Sequence, residues 1–206
     1  MAKIKIGIVV DMQHDFVDGA LANADAQKIV DGIVKFVNEY DGVIIGTQDT
    51  HLGEDSPYYA SYNSKQRRMY NNMLESKLPP HCILGTSGHE IVKPILNAIY
   101  SKRSPFVVNK ITFGYTGWAE FIIRGVLGLD VSNDAWTISE IGDQFIEEIT
   151  MVGTCTDICV ISNALILRAL FPNVRIRVIS SLCAGLTPAK HEAALEVMRS
   201  CMIEVE

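Results

Sequence analysis

The chain has no run of Lys and Arg. Its 18 basic residues are outnumbered by 24 acidic ones, for a net charge of −6. Nucleic-acid surfaces depend on clustered basic side chains that release counterions, so no nucleic-acid partner is expected. No stretch approaches the roughly 18 apolar residues of a membrane span, so no membrane partner is expected either. The opening apolar run in "MAKIKIGIVVDMQHDF" breaks at Asp11, too early for a secretory signal. Five cysteines are an odd set without framework spacing, and read as reduced thiols of a cytoplasmic protein. Internal repeats and low-complexity segments are missing too.

What is present suits one globular domain over residues 1–206. The chain is 48% hydrophobic and 20% charged, and long enough to bury a sizeable core. Short apolar runs recur at 4–10, 42–47, 105–109, 148–153, 174–180 and 201–206. They are near-continuous rather than alternating, as in strands buried on both faces. Helical patterns lie between them at 25–40, 88–100, 156–171 and 187–200, the last opening on a Thr187 cap followed by Pro188. This alternation predicts an α/β fold, a doubly wound and mainly parallel six-stranded sheet with helices on both faces. The stretch 50–87 is polar and proline-containing, and reads as a long excursion with a short helix near 64–74.

Four groups of reactive residues fall where the predicted strands end. Asp11 directly follows the first run, in "DMQHDF"; it serves there as a general acid or base, or as a loop cap. Asp49 and His51, in "QDTH", share a face if the backbone is extended. With His81 and Glu75 of "ESKLPPHC" they make a donor set for one divalent transition metal, although lone histidines are commonly surface or core residues. Lys110 follows the third run, either to stabilise a thiolate or carboxylate or as a solvated lysine. Phe113, Tyr115 and Trp118 either wall a flat ligand or fill core.

The fourth group is "GTCTDICV", residues 153–160. Thr156 or Asp157 is placed to cap a helix. Cys159 then falls in its first turn, where unpaired N–H groups and the dipole favour a thiolate. Cys155 precedes the cap and gains less. Either cysteine is also a common buried filler. The shared address of Asp11, Asp49 with His51, Lys110 and Cys159 at successive strand ends favours a site over four coincidences.

The stretches "IVVDMQHDFVDGAL", "GTQDTH", "ESKLPPHCILGTSGHE", "NKITFGYTG", "MVGTCTDICV" and "HEAALEVM" together resemble the nicotinamidase branch of the isochorismatase-like cysteine hydrolases. The resemblance covers nearly the whole chain. It implies a nucleophile at Cys159, a base at Asp11 and an assisting lysine at Lys110. It places an oxyanion hole at the backbone N–H groups of Cys155 and Cys159, with a cis peptide before Cys155. The metal ligands it implies are Asp49, His51 and His81, with Glu75 one residue closer to His81 than in relatives that use this glutamate. Zinc suits the set, and manganese or iron also fit. The implied substrate is nicotinamide, hydrolysed to nicotinate and ammonia through a cysteine thioester, its ring walled by Phe16, Phe113 or Trp118. One departure is Ile158, where some relatives carry histidine. Two rivals remain: another carboxamide or carbamoyl hydrolase (or isochorismatase) of this scaffold, and a non-catalytic metal-binding protein. The metal set argues against the first, and the filled triad against the second. Association into a homo-oligomer stays open.

Overall fold

The computed structural model describes residues 2–70, 78–130 and 136–206. The elements run β1 (Ile4–Val10), α1 (His14–Val17), α2 (Ala24–Lys28), α3 (Val30–Glu39), β2 (Val43–Asp49), α4 (Ser64–Tyr70), α5 (Lys93–Tyr100) and β3 (Pro105–Lys110). After these come α6 (Trp118–Glu120), α7 (Ile138–Phe145), β4 (Ile146–Thr154), α8 (Ile161–Leu170), β5 (Arg175–Ala184), α9 (Pro188–Ser200) and β6 (Glu204–Val205). The strands form one parallel sheet in the order β3-β2-β1-β4-β5-β6. The order reverses between β1 and β4, and a doubly wound sheet opens a ligand crevice at that reversal.

Alternate residues of the central strands feed two cores. Ile6, Ile8, Val10, Ile149 and Met151 pack with α8 and α9 residues such as Leu167 and Leu195 on one face. Val9 and Val152 pack on the other with Ile33 and Val37 of α3 and Ile95 and Ile99 of α5. Burial on both faces is why these runs show no polar alternation. At the reversal the strands approach so closely that a Cβ at Gly153 would strike the Val10 carbonyl, and its φ of +122° also demands glycine.

Several boundaries differ from the sequence reading. The helix expected over 25–40 is split at Ile29 into α2 and α3. The helix expected from 88 starts at Lys93, because Ile91 is held extended by a bridge to Gln13. The last strand is only Glu204–Val205, since Cys201 and Met202 close α9. α7 was not anticipated, although Thr137 and Glu140 form a reciprocal capping box readable as T-x-x-E. Thr187 does cap α9, its hydroxyl accepting the Lys190 N–H, with Pro188 at the first helical position.

The excursion after β2 returns to the sheet's end. The His51 N–H donates to the Cys82 carbonyl at 3.0 Å, and the Leu84 N–H to that of His51 at 2.8 Å. Asp15 fixes the return, accepting the Cys82 N–H at 2.7 Å.

Met151 has no solvent exposure and sits mid-sheet. Met151→Ala is expected to lower unfolding free energy by about 2–5 kcal/mol, read from urea denaturation.

Candidate active site and metal centre

Three strand ends deliver three charges to one point. Asp11, just past β1, adopts φ 47°, a left-handed conformation that an aspartate tolerates better than most residues. Its carboxylate accepts the Thr47 hydroxyl at 2.6 Å. Asp49 ends β2 and Lys110 ends β3, and the two stand in register. The Lys110 ammonium lies 2.7 Å from Asp11 Oδ2, 3.1 Å from Asp49 Oδ1 and 3.5 Å from Cys159 Sγ. All four residues are buried. Asp11, Lys110 and Cys159, singled out in the sequence, are therefore brought together in space.

Gln13 braces Asp49. Its side-chain oxygen accepts the Asp49 N–H at 2.7 Å, and its Nε2 donates to the Asp49 carbonyl and to that of His89, each at 2.8 Å. Sequence reasoning passed over Gln13 and Thr47.

Cys159 lies in a π-helical turn, Thr156–Val160, entered through a cis Thr154–Cys155 peptide, the geometry the resemblance implies. The expected side-chain cap is not there. Thr156 instead pairs its hydroxyl with His191 Nδ1 at 2.9 Å, and Asp157 accepts the Leu186 N–H at 2.8 Å. The Cys155 carbonyl receives the Ile158 and Val160 N–H groups.

The ionisation state differs from the sequence reading too. Burial pushes the Cys159 thiol well up; Lys110 opposes this, while the Asp11 charge and hydrogen bond add to it. Burial also raises Asp11, partly offset by Lys110. Burial works against the Lys110 charge, but the Asp11 and Asp49 carboxylates outweigh it and hold the lysine protonated. Burial thus favours the thiol form of Cys159, beside the ion pair of Asp11 and Lys110.

Beside it, Asp49 Oδ2 lies 3.0 Å from His51 Nε2 and 3.5 Å from His81 Nε2. Burial raises the Asp49 carboxyl, but the two histidines and Lys110 overcome that and hold it below the usual carboxylate range. His81 Nδ1 is 2.8 Å from the Pro79 carbonyl, which can only accept, so Nδ1 carries the proton. In the neutral ring, Nε2 then aims a lone pair at a carboxylate oxygen. Two facing acceptors need a cation between them, either a proton or a metal ion. The three donor atoms lie within 4.8 Å of one another, so this set fits one divalent ion with coordination positions left open. Glu75 lies outside the described residues.

Phe16 packs near the metal donors, its ring 5.7 Å from that of His81. Phe113 is 37% exposed, at the mouth of the loop after β3. Trp118, expected as a possible ring wall, has no solvent-accessible surface. It packs in the same core as Cys159 and donates Nε1–H to Asn163 at 2.7 Å. The other histidines are supports: His89 pairs with Thr50, His14 with Asp18, and His191 with Thr156.

Residues 136–206 match a family model described as the isochorismatase domain. Over 201 residues the chain is 26% identical to the nicotinamidase/pyrazinamidase of Mycobacterium tuberculosis, covering 96% of each. The pyrazinamidase/nicotinamidase structure from Streptococcus mutans superposes with a TM-score of 0.71 at 23% identity, over 98% of this chain and 99% of that one. The pyrazinamidase of Pyrococcus horikoshii, solved in complex with zinc, gives 0.70 at 21% identity over 98% of each chain. The chain carries the isochorismatase-like α/β fold, and the part that matches the family model includes the Thr156–Val160 turn.

Proposed function

We propose that residues 1–206 act as one amidohydrolase domain that converts nicotinamide to nicotinate and ammonia, with Cys159 as nucleophile. The observation that carries this reading is the sharing of Asp49: one oxygen faces the triad's lysine, the other the histidine donors. A site that only held metal has no need of a buried thiol, lysine and second carboxylate at its edge. A site that only cleaved an amide has no need of the histidines. The Mycobacterium tuberculosis relative, named a nicotinamidase/pyrazinamidase, supports the same substrate class.

The chain's own groups define the steps. Asp11 accepts the Cys159 proton as sulfur attacks the carboxamide carbon, and Lys110 holds the charge that Asp11 shares with it. The backbone N–H groups of Cys155 and Cys159 are assigned to the developing oxyanion; one such donor is typically worth about 3–4 kcal/mol. Asp11 returns its proton to the departing ammonia, leaving a thioester. It then takes a proton from water, whose attack releases the acid. Phe16 and Phe113 bound the ring, and Trp118 packs in the same core as Cys159. Asp49, His51 and His81 would hold a divalent ion, with zinc the best match to these donors, and it would supply a Lewis-acid point for a ring nitrogen. Glu75 is retained as a further ligand of this centre. The five free thiols suit a cytoplasmic setting. Among the described residues no helix is long and apolar enough to cross a membrane.

Cys159→Ala is expected to reduce ammonia release from nicotinamide to background, while Cys155→Ala keeps much of it, because only the backbone of Cys155 is used. The reverse pattern in a coupled ammonia assay would assign the nucleophile to Cys155.

The parent protein is expected to hold one divalent ion per chain by elemental analysis, and His51→Ala to lose it. Losing a ligand should raise KM by more than the about 10–100-fold that outer-shell changes cost metal sites. Metal-free protein with unchanged kinetics would instead indicate a metal-independent amidase of the same scaffold.

A further inference from the structure

One buried side chain outside the triad bonds the backbone of both Cys159 and Phe113. Asn163 of α8 has no solvent exposure. Its Oδ1 accepts the Tyr115 N–H at 2.8 Å and the Trp118 Nε1–H at 2.7 Å. Its Nδ2 donates to the Cys159 carbonyl at 2.8 Å and the Phe113 carbonyl at 3.2 Å. Both donors to Oδ1 can only donate and both acceptors from Nδ2 can only accept, so the amide has one orientation. All four of its hydrogen-bonding positions are filled.

These bonds join two segments far apart in sequence. The first is the loop after β3, which begins at Lys110 and carries Phe113. The second is the turn that carries Cys159. The loop lies tightly on α8 beneath it: a Cβ at Gly114 would meet Ile166 Cδ1 at 2.5 Å and the Ser162 carbonyl carbon at 3.3 Å. Thr112 stiffens the bend by donating its hydroxyl to the Gly114 carbonyl at 2.6 Å.

We infer that Asn163 is a positioning residue whose amide sets the spacing between Cys159 and the Phe113 wall, so that a ring held by the wall presents its carboxamide at attack distance. This rests on the amidohydrolase reading above and adds a determinant outside the triad. Asn163 touches no reacting atom. Asp11 and Lys110 do not contact it, so it governs where the substrate sits relative to sulfur rather than how the sulfur ionises. An aspartate in its place keeps the two accepted bonds and loses both donated ones. A serine is too short to span the loop and the turn.

The test compares Asn163→Asp and Asn163→Ser with the parent in three measurements: steady-state nicotinamide hydrolysis, alkylation of Cys159 by iodoacetamide followed by intact mass, and amide hydrogen exchange. Asn163→Ser, uncharged and smaller, carries the test if the buried carboxyl of Asn163→Asp prevents folding. A misplacement near 1 Å can cost about 100-fold, and a loss of that order in kcat is expected, with a smaller change in KM. Alkylation should stay near the parent rate, because the proton acceptor and the lysine are untouched. Exchange over 113–118 should quicken in Asn163→Ser while β4 stays protected. Unchanged kcat, unchanged exchange over 113–118, or alkylation falling in step with kcat would each overturn the inference. Failure of the parent itself to release ammonia would instead reject the nicotinamide reading, and the exchange data would still decide whether Asn163 ties the loop to the turn.

Discussion

A lysine ammonium without access to water organises this molecule. Removing such an ion from solvent costs several kcal/mol after relaxation, and only close, well-directed partners offset that cost. Lys110 finds them in Asp11 and Asp49, at 2.7 and 3.1 Å. Each group hangs from the end of a different strand, so the ion pair exists only if β1, β2 and β3 end in step. The parallel register supplies that, placing Asp49 directly beside Lys110, and the left-handed turn at Asp11 swings the third group in. Two carboxylates around one ammonium leave a local excess of negative charge. The unused Asp49 oxygen carries that excess toward His51 and His81. The triad and the metal donors are thus one electrostatic unit, and altering either changes the charge balance of the other.

The same burial decides how the thiol works. A helix N-terminus offers a thiolate typically 0.3–1 kcal/mol, and up to about 2 in favourable geometry. Burial opposes ionisation of Cys159 and pushes its thiol well up despite Lys110, so burial wins. In the proposed reaction Cys159 therefore starts as a thiol and hands its proton to Asp11 as the sulfur attacks. A preformed thiolate tolerates some looseness in its surroundings, since the charge is already in place. A thiol that must ionise during attack needs its acceptor within reach at that moment. Positional accuracy then matters more than the helix dipole.

Much of this was legible because the strands are. Near-continuous apolar runs such as "IKIGIVV" and "EITMVG" mark strands buried on both faces, and a reactive residue at the end of each then has an address. That logic located Asp11, Asp49, Lys110 and Cys159, and the prolines at 79 and 80 drew attention to His81. Local rules misled where tertiary partners competed. Thr156 and Asp157 look like helix caps, but His191 and the Leu186 N–H claim them. The sequence left Trp118 between ligand wall and core because its partner Asn163 lies on α8, remote in sequence. Gln13 and Asn163 carried only a generic signal. A single amide within "ISNALIL" must be satisfied somewhere once buried, but no spacing says by what.

The hydrogen bonds around residues 156–163 explain how a turn without a side-chain cap can hold Cys159 accurately. Thr156 is tied to α9 through His191, Asp157 to the approach to α9 through the Leu186 N–H, and the Cys159 carbonyl to Asn163, which also grips the loop after β3. A helix cap would fix the turn only relative to its own helix. These ties fix it relative to its neighbours on both sides, β3 on one and β5 with α9 on the other. Lys110 and Asp11 are delivered by that same framework of strands. Moving the turn as a whole therefore breaks contacts to several elements at once, which is the rigidity a positioned side chain on a turn needs.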